Sequence, residues 1–339
     1  MKKICCFGEL LLRMSPVLDR EWIKTNSIPV FVGGAELNVA NALVNWNVPA
    51  KYFTALPDNY LSKEICAELE EKKIDTSSIH FSGNRIGVYY LPQGTDLKHA
   101  GVIYDRAHSS FASLKPGMVN WDEVMKDANW FHFSAISPAL NQDAVDVCKE
   151  ALVAAERLGL TISVDLNYRA KLWQYGKKPV DVMPDLVKHC DVIMGNIWAA
   201  NTLLGVSVDE ELIKPHTKEN YVKHALLTGN RIQELFPKCH TIANTFRFDK
   251  EAGGLHYYAS LQAKDKQFVS LEFDTASVVD KVGSGDCFMG GLIYGLNSQH
   301  QPQDIINYAA AAAFGKLQEV GDATKQNIEA VQSIIKRYE

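Results

Sequence analysis

Short apolar segments alternate with amphipathic segments along most of this 339-residue chain. The apolar segments are typical of buried strands, and the amphipathic ones repeat apolar side chains at the three- and four-residue spacing of a helix. The predicted strands are KKICCFG, KYFTAL, WFHFSAI, LTISVDLN and DVIMGN, and the predicted helices are AELNVANALVNW, LSKEICAELEEKK, DAVDVCKEALVAAERLG, DVMPDLVKHC and WAANTLLG. Three more helices are predicted at 284–296, 304–317 and 325–338. This β-α repeat predicts a mostly parallel sheet with helices on both faces.

Two segments interrupt the alternation. Residues 10–32 and 85–108 contain strand-like pieces, among them GVYYLPQG and AGVIYDRA, without helices between them. These pieces predict a small accessory sheet. Because the chain has no internal repeat, low-complexity tract or recognisable linker, we expect residues 1–339 to form one compact domain that carries this sheet.

The composition argues against several classes of protein. A formal net charge of −5 and the lack of any basic block argue against a nucleic-acid partner. No apolar stretch has the length that spans a bilayer, and Glu9 and Arg13 interrupt the apolar start too early for a secretory signal. The seven cysteines have no CxxC spacing, which favours reduced thiols over disulfides or a zinc site. The sequence therefore predicts a cytoplasmic protein without a membrane partner.

The segment VGSGDCFMGGLIYG places Gly283, Ser284 and Gly285 between a strand-rich segment and a helical one. The first amides of a helix lack backbone partners and carry the positive end of the helix dipole. Glycines let those N–H groups converge on a small anion such as a phosphate. Asp286 follows in the first turn, where a carboxylate can accept a proton from a hydroxyl that attacks a phosphoryl group.

The same segment has a simpler interpretation, in which Gly-Ser-Gly is a turn and Asp286 only interacts favourably with the helix dipole. Other motifs fit the chain poorly. The segment lacks the third glycine of GxGxxG, and the chain contains neither a GxxxxGK[ST] P-loop nor a GxSxG nucleophile elbow.

A second pair of glycines supports the phosphate interpretation. In FVGGAELNVANALVNW, Gly33 and Gly34 precede a predicted helix, and Asn38 lies one helical turn beyond Gly34. Two glycine-capped helix starts, far apart in the sequence, could build one crevice at the carboxyl ends of parallel strands.

Together the two motifs resemble the signatures of the ribokinase-like (PfkB) carbohydrate kinases. GGAELNVA is similar to the GGAxxNVA substrate motif of that family, and DKVGSGD is similar to its DTxGAGD motif. The opening GELLLRMSP and the spacing of the whole chain also fit. YDR (Tyr104, Arg106) and DLNYR followed by LW (Asp165, Asn167, Arg169) are most similar to 2-keto-3-deoxygluconate kinases.

The resemblance implies a ribokinase-like three-layer α/β/α sandwich with a mostly parallel central sheet and a small β-sheet lid at about 10–32 and 85–108. It implies an ATP-dependent transfer of the γ-phosphate to a sugar hydroxyl, with Mg²⁺ as cofactor. Asp286 would be the general base, and the amides of Gly283, Ser284 and Gly285 would form the anion hole. The other residues implied are Asn196, Thr245 and Arg247 for ATP, and Gly34, Asn38, Tyr89, Tyr104, Arg106, Asn167, Arg169 and Asp322 for the sugar.

Three departures from the family pattern affect the nucleotide side. The glutamate of an Asn-x-x-Glu motif that helps to organise magnesium is replaced by Ala199, so the metal ligands stay unknown. The glycine-rich nucleotide loop is replaced by TIANTFRFDKEAGG, in which Arg247 could contact phosphates. Lys281 and Val282 stand where the family has threonines.

Several alternatives remain open at this stage. A keto-sugar acid kinase, most simply one for 2-keto-3-deoxygluconate, fits because Arg106 and Arg169 could pair with a substrate carboxylate. A fructokinase and a non-catalytic sugar- or nucleotide-binding homologue are the alternatives. Tyr89 and Tyr104 could be ordinary strand aromatics, the two arginines could be surface charges, and Asp322 could cap the last helix. Exposed lid strands would also suit a homodimer.

Overall fold

The predicted alternation of strands and helices is present in the computed structural model, which describes residues 2–17, 24, 26–92, 101–250, 253–263 and 266–339. The strands are β1 (Lys3–Phe7), β2 (Leu11–Met14), β3 (Val30–Gly33), β4 (Ala50–Phe53), β5 (Ala55–Leu56), β6 (His80–Phe81), β7 (Gly87–Tyr90), β8 (Ile103–Asp105), β9 (Ala128–Ser134), β10 (Thr161–Asp165), β11 (Val192–Gly195), β12 (Thr241–Asp249), β13 (Leu255–Ala263), β14 (Lys266–Val269) and β15 (Phe273–Thr275). The helices are α1 (Ala35–Asn45), α2 (Tyr60–Glu71), α3 (Trp121–Met125), α4 (Gln142–Arg157), α5 (Pro179–Val187), α6 (Ile197–Leu204), α7 (Lys218–Leu235), α8 (Ser284–Asn297), α9 (Pro302–Lys316) and α10 (Ile328–Tyr338).

The central sheet has the strand order β14-β13-β12-β11-β10-β9-β1-β4, and β15 pairs with β13. From β4 to β12 every pairing is parallel, whereas β13 is antiparallel to β12, β14 and β15. The prediction of a mostly parallel sheet is therefore confirmed. The antiparallel end was not predicted, although its strands follow one another without the helices that a parallel crossover requires.

Apolar side chains cover both faces of this sheet, which explains why strands such as KICCF read as continuous apolar runs. Ile4 and Cys6 of β1 belong to a core that includes residues of α1, α8 and α9. Cys5 and Phe7 belong to a second core, which includes residues of α3 to α7. Because neighbouring side chains of a strand point to opposite faces, the sheet is the middle of three layers.

The two segments that interrupt the alternation form a separate four-stranded sheet with the order β3-β2-β7-β8. Strand β2 is antiparallel to β3 and parallel to β7, so that Leu11 lies opposite both Gly33 and Gly87. This arrangement confirms the predicted small separate sheet. Parts of the two predicted lid segments, at 18–23, 25 and 93–100, lie outside the described residues.

Two local predictions near the site were wrong. The last helix begins at Ile328 and not at 325, because the Asn327 side chain accepts the Ala330 N–H and caps it. The interpretation of Asp322 as the cap of this helix is therefore wrong. The strand-rich segment predicted before Gly283 contains β15, which ends at Thr275, and a loop leads from there to α8. Within the described part of the chain, no helix is both long and apolar enough to cross a membrane.

Candidate active site

A cleft of about 730 Å³ lies where β10 and β11 end and the small sheet faces the central one. Its lining includes every residue that the sequence predicted for the site: Gly34, Asn38, Tyr89, Tyr104, Arg106, Asn167, Arg169, Asn196, Thr245, Arg247, Gly283, Ser284, Gly285, Asp286 and Asp322. The carboxyl ends of parallel strands are the usual position of a ligand crevice in an open α/β sheet. The fold thus brings residues from 34 to 322 into one cleft, as their sequence patterns predicted.

Gly283, Ser284 and Gly285, which we call the anion turn, open α8 towards the cleft. Gly283 has a left-handed backbone with φ 80°, and a Cβ on it would lie 1.9 Å from the Asp322 carbonyl oxygen. The first hydrogen bond within α8 runs from Cys287 N–H to Gly283 O, so the preceding amides lie before the start of the helical ladder. A Cβ on Gly285 would have no atom within 4 Å. The turn is therefore closed against Asp322 and open at Gly285.

Asp286 faces the start of α1 across the cleft floor. Its Oδ2 accepts a hydrogen bond of 2.7 Å from Asn38 Nδ2, while Asn38 Oδ1 is buried and has no partner among the described residues. Helix α1 can begin there because Gly34 has a φ of 141°, and a Cβ on it would lie 2.4 Å from the Glu9 carbonyl oxygen. Asn38 thus holds the carboxylate of Asp286 with its Nδ2, and its Oδ1 remains able to accept a hydrogen bond from another group.

Burial raises the pKa of Asp286 to about 6. The hydrogen bond from Asn38 and the positive charges of Arg169 and Lys316 oppose this shift, whereas the negative charge of Asp322 adds to it. Near neutral pH the carboxylate is therefore mostly ionised, with a proton affinity higher than that of an exposed aspartate. These are the properties that a general base requires.

Two more buried carboxyl groups, which the sequence analysis did not assign to the site, lie near Asp286. Burial, together with the negative charge of Asp286, raises the pKa of Asp165, at the end of β10, to about 8. Burial raises the pKa of Glu36 in α1 to about 7, against hydrogen bonds of 2.9 and 2.6 Å to its Oε1 from Ser134 N and Oγ.

Arg106 does not present a free cation to the cleft, although it lines it. The Glu9 Oε2 accepts from Arg106 Nε at 2.6 Å and from Nη2 at 2.5 Å, and Ser109 Oγ donates to Glu9 Oε1. The arginine is 5% exposed, so the interpretation of it as a surface charge is wrong. The expectation that Arg106 and Arg169 together pair with a substrate carboxylate loses support from Arg106, because Glu9 already neutralises its charge.

Arg169 is the arginine whose charge is not paired in this way. It is half-buried in the segment after β10, and its Nη1 donates to the Tyr168 carbonyl oxygen at 3.0 Å. Its Nε is buried and has no hydrogen-bond partner among the described residues. Because its charge lowers the pKa values of both Asp165 and Asp286, the guanidinium lies close enough to act on the reacting end of the cleft.

A second buried ion-pair network joins the small sheet to Asp280 and Asp322, on either side of α8 and α9 in the sequence. Arg13 of β2, a residue that the sequence analysis did not assign, has Nε 2.8 Å from Asp322 Oδ1 and Nη2 2.7 Å from Asp280 Oδ2. The Tyr89 hydroxyl donates to Asp322 Oδ2 at 2.9 Å, and the ring of Tyr104 lies 6.3 Å from that of Tyr89. The two tyrosines therefore line the cleft as residues of β7 and β8, and one of them is fixed by the network.

The nucleotide side of the cleft departs from the family pattern in structure as well as in sequence. Asn196 caps α6, with its Oδ1 accepting from Ala199 N at 2.8 Å. Strand β12 runs on through Thr245 and Arg247, which pair with residues 259 and 257 of β13, where the pattern predicts a glycine-rich turn. Arg247 is half-buried and reaches the cleft from this strand.

The residues of this region do not provide a dedicated magnesium site. The side-chain oxygen of Asn196 is engaged as a helix cap, and Ala199 has no oxygen to offer. Among the described residues there is also no group of three His, Cys, Asp or Glu side chains placed to hold a metal ion.

Comparison with known proteins gives consistent similarities over nearly the whole chain. A family model described as pfkB family carbohydrate kinase matches residues 1–229 and 254–329. The unmatched internal segment, 230–253, contains β12, where the nucleotide side departs from the pattern.

Individual relatives also match end to end. A 2-dehydro-3-deoxygalactonokinase from Haloferax volcanii is 26% identical over 98% of this chain and 96% of its own. The crystal structure of 2-dehydro-3-deoxygluconokinase from Thermotoga maritima matches with a TM-score of 0.88 and 32% identity, over 99% of this chain and 100% of that one. A fructokinase from Xylella fastidiosa with bound ATP has a TM-score of 0.74 and 21% identity, over 99% and 98% of the two chains, which is a likeness of fold alone.

Proposed function

Because this chain belongs to the pfkB family of carbohydrate kinases, we propose that it transfers the γ-phosphate of ATP to a hydroxyl group of a keto-sugar acid. The observation that carries the proposal is the position of Asp286. Its buried carboxylate, held by Asn38 at 2.7 Å, adjoins an anion turn that is open at Gly285. A base and an anion site side by side are what phosphoryl transfer to an alcohol needs.

In this proposal Asp286 accepts the proton of the sugar hydroxyl. The hydroxyl oxygen forms a bond to the γ-phosphorus, and the bond from that phosphorus to the bridging oxygen of the β-phosphate breaks, so that ADP leaves. The amides of the anion turn donate to the phosphate oxygens as negative charge develops on them. The free oxygen of Asn38 is available for a second hydroxyl of the sugar.

ATP is proposed as the phosphate donor because of the chemistry of the site and because the structurally similar fructokinase from Xylella fastidiosa has ATP bound. Arg247 and Thr245 line the cleft on the side where the nucleotide would lie. Mg²⁺ would enter with the phosphates of the nucleotide, because the Asn196 region lacks the acidic ligand. The strand that replaces the glycine-rich loop affects how the nucleotide binds, and not the general base Asp286.

The sugar-acid preference rests on Arg169. A half-buried guanidinium with an unpartnered Nε beside the reacting carboxylates is poorly compensated by a neutral sugar and well compensated by a carboxylate. Arg106 contributes less to this argument than the sequence indicated, since Glu9 already neutralises it. The names of two relatives, a 2-dehydro-3-deoxygluconokinase and a 2-dehydro-3-deoxygalactonokinase, refer to substrates of this class.

The small sheet supplies Tyr89, Tyr104 and Arg106, and we propose that it acts as a lid over the sugar. Its edge strands β3 and β8 carry Val30 and Ile103, which are 51% and 62% exposed. A homodimer that pairs the two lids would cover these side chains. The molar mass in solution, measured by light scattering, tests that part of the proposal.

The main test is ATP consumption with a panel of 2-keto-3-deoxygluconate, 2-keto-3-deoxygalactonate, fructose and ribose. We expect a higher kcat/KM for one of the acids than for the neutral sugars, and loss of turnover in Asp286→Asn. Arg169→Met should raise the KM for the acid roughly tenfold to a hundredfold, because a charge-assisted hydrogen bond contributes about 1.5–3 kcal/mol.

Three outcomes would contradict parts of this proposal. A preference for fructose that Arg169→Met leaves unchanged would make the chain a neutral-sugar kinase. Turnover of Asp286→Asn at the wild-type rate would refute the base. Binding of sugar and ATP without turnover, measured by calorimetry, would make the chain a non-catalytic homologue.

A further inference from the structure

The side chain of Lys316 is buried directly behind the anion turn and has no role in the chemistry proposed above. It is the last residue of α9 and is 0% exposed. Its Nζ donates to the Glu319 carbonyl oxygen at 3.1 Å, and in the described part of the chain this is its one hydrogen-bond acceptor. An ammonium group has three donors, and a buried charge is costly unless it is compensated.

The carboxylate that lies nearest in sequence does not form an ion pair with Lys316. Glu319 Oε2 accepts from Thr324 Oγ1 at 2.7 Å, and Glu319 Oε1 accepts from Lys325 N at 3.0 Å. No carboxylate oxygen of the described residues is within 4.0 Å of the ammonium nitrogen. Burial lowers the pKa of Lys316, and the more distant charges of Asp280, Glu319 and Asp322 oppose that effect.

The position of Lys316 relative to the anion turn suggests what its charge does. A Cβ on Gly283 would lie 3.4 Å from Lys316 Cε, so the stem of the lysine packs against the back of the turn. Lys316 does not line the cleft, and any effect on the substrate must therefore pass through the turn and Asp286. Its positive charge favours the ionised form of Asp286.

We propose that Lys316 is a positioning residue that supplies positive charge behind the anion turn, where it stabilises the carboxylate of Asp286 and the negative charge that develops during phosphoryl transfer. The inference rests on the proposed function, since it assigns a supporting group to the same base and the same turn. A fixed charge in a water-excluded site acts strongly because little solvent screens it.

Other groups also act on Asp286, and the test must separate Lys316 from them. Asn38 of α1 donates to it, Arg169 after β10 lowers its pKa, and Asp322 raises it. Two buried acids, Glu36 and Asp165, titrate nearby. All of these groups are unchanged when Lys316 is replaced, so a shift in the acid limb of activity reports the lysine.

The experiment compares Lys316→Met and Lys316→Gln with the matched control Lys325→Met, which removes an exposed lysine from the same region. Steady-state rates are measured from pH 5 to 9 with the sugar that the wild type prefers. We expect kcat to fall about tenfold in both Lys316 variants, less than the roughly 100- to 1,000-fold typical for loss of a direct oxyanion donor. The KM for the sugar should not change.

The acid limb of kcat/KM should also move to higher pH in the Lys316 variants and stay in place in Lys325→Met. The sign follows because the pKa of Asp286 rises when a neighbouring positive charge is removed. A fall in kcat without this shift, or no fall at all, would overturn the inference. Failure of both Lys316 variants to fold would assign the lysine a structural role and overturn it too. A wild type without sugar kinase activity would instead refute the proposed function itself.

Discussion

Replacement of Arg106 by methionine is expected to destabilise the protein far more than the same replacement of Arg169. The guanidinium of Arg106 and the carboxylate of Glu9 form a buried pair, with side chains 5% and 1% exposed. Arg106→Met would leave the Glu9 carboxylate buried without its cation, with Ser109 as a remaining hydrogen-bond donor. Breaking a buried pair in this way typically costs about 3–5 kcal/mol.

That free energy corresponds to a measurable change in melting temperature. An unfolding entropy of about 2.1 cal/mol/K per residue gives roughly 0.7 kcal/mol/K for 339 residues, so Tm should fall by about 4–7 °C. Arg169 is half-buried and donates from Nη1 to one carbonyl oxygen. Loss of one such bond costs about 1 kcal/mol, which is roughly 1.4 °C.

The assay is scanning calorimetry of the ligand-free protein at pH 7.5, with Arg169→Met as the matched control. The double variant Glu9→Met with Arg106→Met removes both charges and should recover much of the lost stability, because apolar replacements of a buried pair are often neutral. An Arg106→Met variant that melts within about 1.4 °C of the wild type would refute the reasoning. A double variant no more stable than the single one would refute it as well.

Three further predictions concern the reacting end of the cleft. The kcat/KM for the sugar should fall as the pH drops through about 6, because Asp286 must be ionised to accept a proton. The variant Asp286→Asn should lower kcat about 100- to 10,000-fold. Rates measured from pH 5 to 8 check both predictions. Ser284→Ala should keep most activity while Gly285→Val loses it, because the turn acts through its amides and is open at Gly285; equal losses in the two variants would indicate a serine nucleophile. Asp165→Asn should raise Tm more at pH 8 than at pH 5. The reason is that the folded protein loses stability as the pH rises from about 4 to 8, since its buried Asp165 carboxyl has a pKa of about 8. Equal changes in Tm in calorimetric scans at the two pH values would contradict this.

The sequence identified the two helix starts of the site because their physical requirement is local. Gly34 and Gly283 need backbone angles that other residues resist, and the acid or amide that uses each start follows within four positions. The β-α alternation was predictable for the same reason, since periodicity is a property of short segments. The glycine-capped helix starts and the β-α periodicity can both be recognised within a short segment, whatever that segment contacts in the fold.

The buried ion pairs could not be predicted, because the spacing of two charged residues in the sequence does not show whether they meet in the fold. Glu9 pairs with Arg106, 97 residues away, and Arg13 pairs with Asp280 and Asp322 across most of the chain. From the sequence, Glu9 and Arg13 are two charges that interrupt an apolar run. Their burial, and therefore the neutralisation of Arg106, follows only from how the small sheet lies against the end of the large one.

The network around Arg13 also sets the order in which the site can be completed during synthesis. Arg13 is made early, while Asp280 and Asp322, which hold its guanidinium, follow 267 and 309 residues later by position. At about 5–20 residues per second, a ribosome needs roughly 15–60 s to travel from residue 13 to residue 322. Throughout that time β2 carries a cation whose burial would be uncompensated. The ion pairs that join the small sheet to the cleft therefore form only after this last part of the chain has been made, and a nascent chain lacks the complete cleft until then.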